Sequence, residues 1–247
     1  MKAVRCRRSY THLSFDLVPN KMPTPLPNAD SPKSNASPCR SSAGLESDQR
    51  ATFPIDRWSV SGAALIATAM ATILYFMGRQ VWCDCGNPTP WSWEVNSSHN
   101  SQHFIDPYTF THVLHGVVFF AILWLFRSAS IPWFGRAIPL LPAQRLLIAL
   151  LIEAAWEILE NTPLVIDRYR AATISLDYYG DSIANSLADL ASCLIGYLIA
   201  SRLRWQSSLV LFVVTEVVLM ATIRDSLILN VIMLVFPNEA ILRWQAA

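Results

Sequence analysis

From Trp58 onward the chain consists of long apolar stretches separated by short polar turns. A helix needs about 20 residues to cross the hydrocarbon core of a bilayer, with about 17 the lower limit. Trp58–Met77, Phe110–Phe126, Ala143–Glu160, Ile183–Leu203 and Ser207–Ile223 all meet that length. A further stretch, Leu227–Trp244, is interrupted by Asn230, Pro237 and Glu239, which predicts either a kinked sixth span or a re-entrant segment. The expected fold is therefore all-α, a polytopic membrane helical bundle with five or six transmembrane helices over residues 57–247. Residues 1–56 break the pattern. Pro19, Pro23, Pro25, Pro27, Pro32 and Pro38 are interleaved with Ser, Asn and Lys, a composition that cannot bury enough apolar surface to offset ordering, and a disordered cytoplasmic tail is expected there.

Composition agrees with a membrane solvent. The chain is 53% hydrophobic and 15% charged, with a mean hydropathy of +0.32, whereas soluble domains carry about 25% charged residues. A formal net charge of +1 gives no electrostatic case for nucleic-acid binding, which requires a concentrated basic face. No secretory signal plan is visible in the first thirty residues, since Arg5, Arg7 and Arg8 precede no continuous apolar core, so insertion is expected to rely on the later segments. With six spans, residues 1–57, 127–145, 202–206 and 243–247 would share one side and hold nine, three, two and one of the nineteen Lys and Arg residues. The positive-inside rule makes that side cytoplasmic and predicts a bacterial inner-membrane protein with its N-terminus inside.

Several ionisable residues interrupt the apolar stretches, and each is costly there: about 2.5–3.5 kcal/mol at mid-helix on insertion scales. Glu153, Glu157 and Glu160 follow the i, i+4, i+7 rule and form one stripe. His112 and His115 neighbour each other on the second span, and Asp181, Asn185 and Asp189 open the fourth. The expected topology brings these groups to the outer half of the bundle, with Glu153 and Asp189 on the order of 10 Å below its boundary. Such a cluster is either a functional site or interhelical glue, since polar pairs across membrane helices contribute about 0.6 kcal/mol on average.

The connecting loops add further chemistry. Cys83 and Cys85 lie close together and are open to three interpretations: a redox or metal pair, a disulfide, or two inert thiols. His99 and His103 would sit one turn apart if helical, and with His112 they are candidate ligands of a divalent metal; an interfacial hydrogen-bond network is the alternative. Arg168 and Arg170 are candidate binders of a phosphate or carboxylate headgroup, or neutralise the glutamates and anchor their loop.

The stretches Gly78-Arg79, Cys83-Asp84-Cys85-Gly86, Ser97 through His103, Asp106-Pro107-Tyr108, Thr111 through Gly116, Glu153 through Glu157 and Arg168-Tyr169-Arg170 through Asn185 resemble an uncharacterised bacterial family of multi-pass inner-membrane proteins, domain of unknown function 2585. The resemblance covers residues 60–245 and implies no activity. The order His115, Glu157, Arg170, Asp181, Asn185 is also similar to VanZ-like membrane proteins associated with glycopeptide-antibiotic resistance. Ala188 and Ser192 stand where glycines would be expected, and Glu160 where a glutamine is usual. That likeness implies a related helical scaffold.

Two function classes follow from the polar cluster. In the first, an outward-facing intramembrane cavity binds or processes a polar-headed envelope lipid. Glu157, Glu160, His115, Asp181, Asn185 and Asp189 are its candidate catalytic residues, and a divalent metal is a candidate cofactor. In the second, Glu153, Asp189 and Glu216 form the relay of a proton-coupled permease. A structural subunit without catalysis is the third alternative. The lipid bilayer is the expected partner, and no protein partner is legible.

Overall fold

The computed structural model describes residues 56–127, 130–133, 136–173 and 177–246, leaving the side chains of 130–139 outside that description. Apart from Asp56, the tail expected over residues 1–56 lies outside the described residues. Each of the five complete apolar stretches forms one helix within a residue or two of its expected bounds: α1 (Arg57–Phe76), α2 (Thr109–Leu125), α3 (Pro142–Glu160), α5 (Ile183–Arg202) and α6 (Trp205–Ile223). Local chemistry sets the starts. The Asp56 carboxylate accepts the Ser59 N–H at 2.9 Å, Pro142 occupies the first turn of α3, and the Ser182 hydroxyl accepts the Asn185 N–H at 3.1 Å. Each satisfies or removes an orphan donor of a helix N-terminus.

Three elements were not expected. Between α2 and α3, β1 (Ser130–Trp133) and β2 (Arg136–Pro139) pair antiparallel with Ser130 opposite Pro139. A two-stranded ribbon has only edges, which is where proline is tolerated in a sheet. The polar connection after Glu160 contains a short helix, α4 (Pro163–Ala172), with Pro163 in its first turn.

The last apolar stretch also departs from a span. It divides into α7 (Leu227–Val235) and α8 (Glu239–Ala246), and α7 at 1.5 Å per residue reaches only about 14 Å, half the hydrocarbon thickness. The Gln245 amide returns to Asp225, donating to its Oδ1 at 3.1 Å. Residues 225–245 therefore fold back on themselves, and Trp244 lies at the same end of the bundle as Asp225, not at the opposite end that a sixth span requires.

Polar groups gather at that end. The Ile183 N–H donates to Gln80 O at 2.9 Å, the Ser182 N–H to Ser101 O at 3.0 Å, and the Tyr108 hydroxyl to Asp225 at 3.2 Å. These bonds join the connection between α1 and α2 to the start of α5, and the start of α2 to the α6–α7 junction. Below them Met70, Leu74, Leu146, Ala149, Leu150 and Tyr197 form the buried apolar core between α1, α2, α3 and α5. α2 and α5 meet backbone to backbone: a Cβ at Gly116 would stand 2.0 Å from Cys193 O, and one at Gly196 would stand 1.9 Å from Val113 O.

The outer faces are apolar. Leu65 is 70% exposed and Val210 61%, and α1, α5 and α6 are long and apolar enough to cross a membrane. Continuous exposed aliphatic surface of this kind suits lipid rather than water.

Candidate functional site

Glu153 and Glu157 are completely buried, one turn apart on α3. Glu153 faces two imidazoles from α2. Its Oε1 lies 2.7 Å from His112 Nδ1, and its Oε2 lies 3.0 Å from His115 Nδ1. A carboxylate at Nδ1 fixes the Nδ1–H tautomer of each ring and leaves each Nε2 lone pair available. The first turn of α2 that carries His112 is held by a reciprocal pair: Asp106 Oδ1 accepts the Thr109 N–H at 3.0 Å, and Thr109 Oγ1 accepts the Asp106 N–H at 3.0 Å. Burial raises the Asp106 carboxyl above the ordinary range.

Glu157 stands differently. His112 Nδ1 approaches its Oε1 at 3.3 Å but is aimed at Glu153. Neither Glu157 oxygen has a hydrogen-bond donor among the described residues, and Asp189 Oδ1 lacks one as well. Asp189 Oδ2 faces His112 Nε2 at 3.9 Å. Two buried carboxylates flanking one imidazole without donors need a proton or a cation between them, because an uncompensated buried carboxylate is costly. His112, Glu157 and Asp189 each offer a ligand atom within 4.8 Å of the others.

These groups border a cavity of about 60 Å³, measured as space for the centres of water-sized spheres and lined in part by His112, His115, Glu160, Asp181 and Asp189. One water needs about 10–15 Å³ on that measure, so the cavity has room for a few waters or a small polar group. Asn161, at the end of α3, holds the lining residue Asp181 in place. Its Nδ2 donates to Asp181 Oδ2 at 2.9 Å, and its Oδ1 accepts the Asp181 N–H at 2.8 Å. Burial nevertheless pushes the Asp181 carboxyl up to about 6, against the opposing hydrogen bonds of Tyr178 and Asn161. Burial and the nearby carboxylates Asp181 and Glu160 raise the Tyr178 hydroxyl.

The expected site residues thus divide. His112, His115, Glu157, Glu160, Asp181 and Asp189 converge, and Asn185 stands beside them, tying its Nδ2 to His103 O at 2.8 Å. Arg168 and Arg170 do not line the cavity. The Arg168 Nε–H donates to Leu234 O at 2.8 Å, fastening α4 to α7, and the Arg170 guanidinium lies 4.9 Å from the centre of the Tyr179 ring. The expected metal triad also separates: His99 and His103 lie in turns, not a helix, and group with Cys83 and Cys85, away from His112. Glu216 accepts the Leu227 and Ile228 N–H groups at 3.0 and 3.2 Å. It therefore caps α7 and is not placed with Glu153 and Asp189 as a relay. Sequence reasoning did not single out Asn161, whose one signal was its place next to Glu160; Tyr108 and Tyr178 fell within the family-like stretches but were given no place in the site.

Fold and site together define a helical bundle of membrane type with an acidic, histidine-bearing cavity at one end. The chain belongs to the family described as protein of unknown function DUF2585, whose profile matches residues 74–247. A UPF0314 protein of Paracoccus denitrificans (strain Pd 1222) is 45% identical over 184 residues, covering 74% of this chain and 90% of its own length. A UPF0314 protein of Rhizobium meliloti (strain 1021) is 43% identical over 204 residues, covering 83% and 97%, and one of Sphingopyxis alaskensis is 45% identical over 190 residues, covering 76% and 94%. No solved structure matches. Nothing in these relatives bears on the fainter likeness to VanZ-like proteins.

Proposed function

We propose that this is a bacterial inner-membrane protein whose cavity faces the outer leaflet, receives the polar headgroup of an envelope lipid and acts on it by proton transfer. The observation that carries this is the cavity's double character. His112, Asp181 and Asp189 line it on one side, while Val231 lines it on another and is itself 50% exposed on the apolar outer face of α7. A polar chamber with an apolar threshold fits an amphipathic ligand that arrives sideways from the bilayer. His112 and His115, oriented by Glu153, take up the proton of a headgroup hydroxyl or a bound water, and Glu157 with Asp189 holds or returns it. Orientation follows from charge. With the last segment folded back, Arg243 joins the cavity side, and the stretches 1–57, 127–145 and 202–206, which alternation of the spans assigns by sequence to the other side, hold fourteen of the nineteen Lys and Arg residues; the positive-inside rule then makes that side cytoplasmic.

The permease alternative needs a polar path through the bundle. Beneath the cavity stand Leu146, Ala149, Leu150 and Tyr197, all buried, and Glu216 is committed to α7, so the lipid-directed function has the better support. The test compares envelope lipids in a deletion strain and in a strain carrying Glu157→Gln. The expected result is one altered lipid class in both, with the variant protein at wild-type abundance. Unchanged lipids in the deletion strain overturn the proposal; a pH-gradient-driven flux in proteoliposomes that vanishes in Asp189→Asn would replace it with the permease.

A further inference from the structure

The connection from α1 to α2, residues 77–108, holds neither a helix nor a named strand. Loops longer than about 12–15 residues without secondary structure are uncommon in compact folds and need something to fix them. Within it two thiols and two imidazoles converge. Cys83 Sγ lies 3.3 Å from His99 Nδ1 and Cys85 Sγ 3.9 Å from His103 Nε2, with the four ligand atoms all within 4.8 Å of one another. We propose that Cys83, Cys85, His99 and His103 form a closed tetrahedral zinc site that holds the roof of the cavity in shape.

The distances fit. Tetrahedral zinc with Zn–S of about 2.3 Å and Zn–N of about 2.0–2.1 Å sets its ligand atoms about 3.3–3.8 Å apart, so a cation would draw this set inward by about 1 Å or less. The surroundings fit as well. His103 Nδ1 lies 2.6 Å from Thr89 O, a partner that keeps the proton on Nδ1 and turns the Nε2 lone pair toward Cys85, as the outer partners of metal-bound histidines do. The Cys85 N–H donates to Cys83 Sγ and the Asn87 N–H to Cys85 Sγ, each at 3.4 Å, bonds that stabilise thiolate charge. Cys83 and His103 are buried while Cys85 is exposed, which leaves an entry path. Two thiolates with two imidazoles select zinc among the common divalent cations. The His-x3-His spacing is that of zinc sites, and the Cys-x-Cys pair is tighter than the usual two to four intervening residues.

The consequence for the cavity runs through the residues between the two histidines. Asn100 and Ser101 line it, and Ser101 takes a left-handed φ of 57° without being glycine, a conformation its surroundings must impose. Gln102 O accepts the Ser182 hydroxyl at 3.1 Å, and His103 O accepts the Asn185 amide at 2.8 Å. Zinc on His99 and His103 therefore clamps a segment that is at once cavity roof and cap of α5.

The full chain, purified in detergent without chelators, should carry one zinc per molecule. After exchange into Co²⁺ it should show the intense visible absorption of tetrahedral cobalt and a thiolate charge-transfer band. Both signals should vanish in Cys83→Ser and His103→Ala and persist in Glu157→Gln and His112→Ala. Should the loop variants fail to fold, the wild-type chain still decides: maleimide labelling of Cys83 and Cys85 should slow about tenfold or more when zinc is present and recover on chelation. Labelling indifferent to zinc, a pale octahedral cobalt spectrum, a Cys83–Cys85 disulfide in place of metal, or metal lost only with His112→Ala each overturns the site. None of these readouts depends on the lipid assay, so either proposal can fail alone.

Discussion

Replacing glycine by alanine within a helix ordinarily stabilises it, by about 1 kcal/mol. At Gly116 the sign should invert. The added Cβ would meet Cys193 O at 2.0 Å and Tyr197 N at 2.5 Å, and both are backbone atoms that cannot rotate aside. Relief to an ordinary carbon–oxygen contact of about 3.3 Å requires α2 and α5 to part by about 1.3 Å. Overpacking of this kind costs about 1–3 kcal/mol, and a rigid backbone wall places Gly116→Ala at the upper end, for a net loss of about 2 kcal/mol after the propensity gain. Gly62 is the internal control. A Cβ there meets only the tip of the Leu147 side chain, at 2.9 Å, which can swing away, so Gly62→Ala should be neutral or stabilising. Thermal or denaturant midpoints of both variants in one detergent measure the difference. Gly116→Ala at or above wild-type stability, or indistinguishable from Gly62→Ala, would refute the close approach of α2 and α5.

Asn161→Ala should destabilise the protein by about 3 kcal/mol, because it strips the Asp181 side chain of one donor and the Asp181 N–H of its acceptor; a midpoint equal to wild type in the same unfolding assay would contradict that role. Burial pushes the Asp225 carboxyl from 3.8 up to about 6, so its contribution to stability is complete below pH of about 3.8 and is lost as pH rises to about 6, at about 1.4 kcal/mol per unit. Unfolding midpoints followed across that window should fall in the wild type and flatten in Asp225→Asn; parallel curves would count against the assignment.

The bundle was legible in sequence because apolar length is dictated by the solvent, and helix bounds followed within a residue or two. The Glu153–Glu157–Glu160 stripe could be read from helical period alone, and its encounter with His112 and Asp189 from alternation of span direction. What escaped depends on contacts between residues far apart in sequence. Glu216 looks like any intramembrane carboxylate until the Leu227 and Ile228 N–H groups are seen to need an acceptor. The fold-back of α7 and α8 shows only in bonds that return across twenty residues, from Gln245 to Asp225 and from Arg224 to Trp244 O. Cys83 and Cys85 could not be paired with His99 and His103 because spacing says nothing of where a 32-residue loop returns.

The fold-back makes the number of traverses odd. Arg57 and Gln245 consequently stand at opposite ends of the bundle, and the cavity opens at the end that carries Gln245. α2 and α5 run between those two ends and touch backbone to backbone at Gly116 and Gly196. Such a contact leaves no side chain between the two helices to yield, so α2 and α5 are expected to move as one body and to carry His112 and Asp189 together.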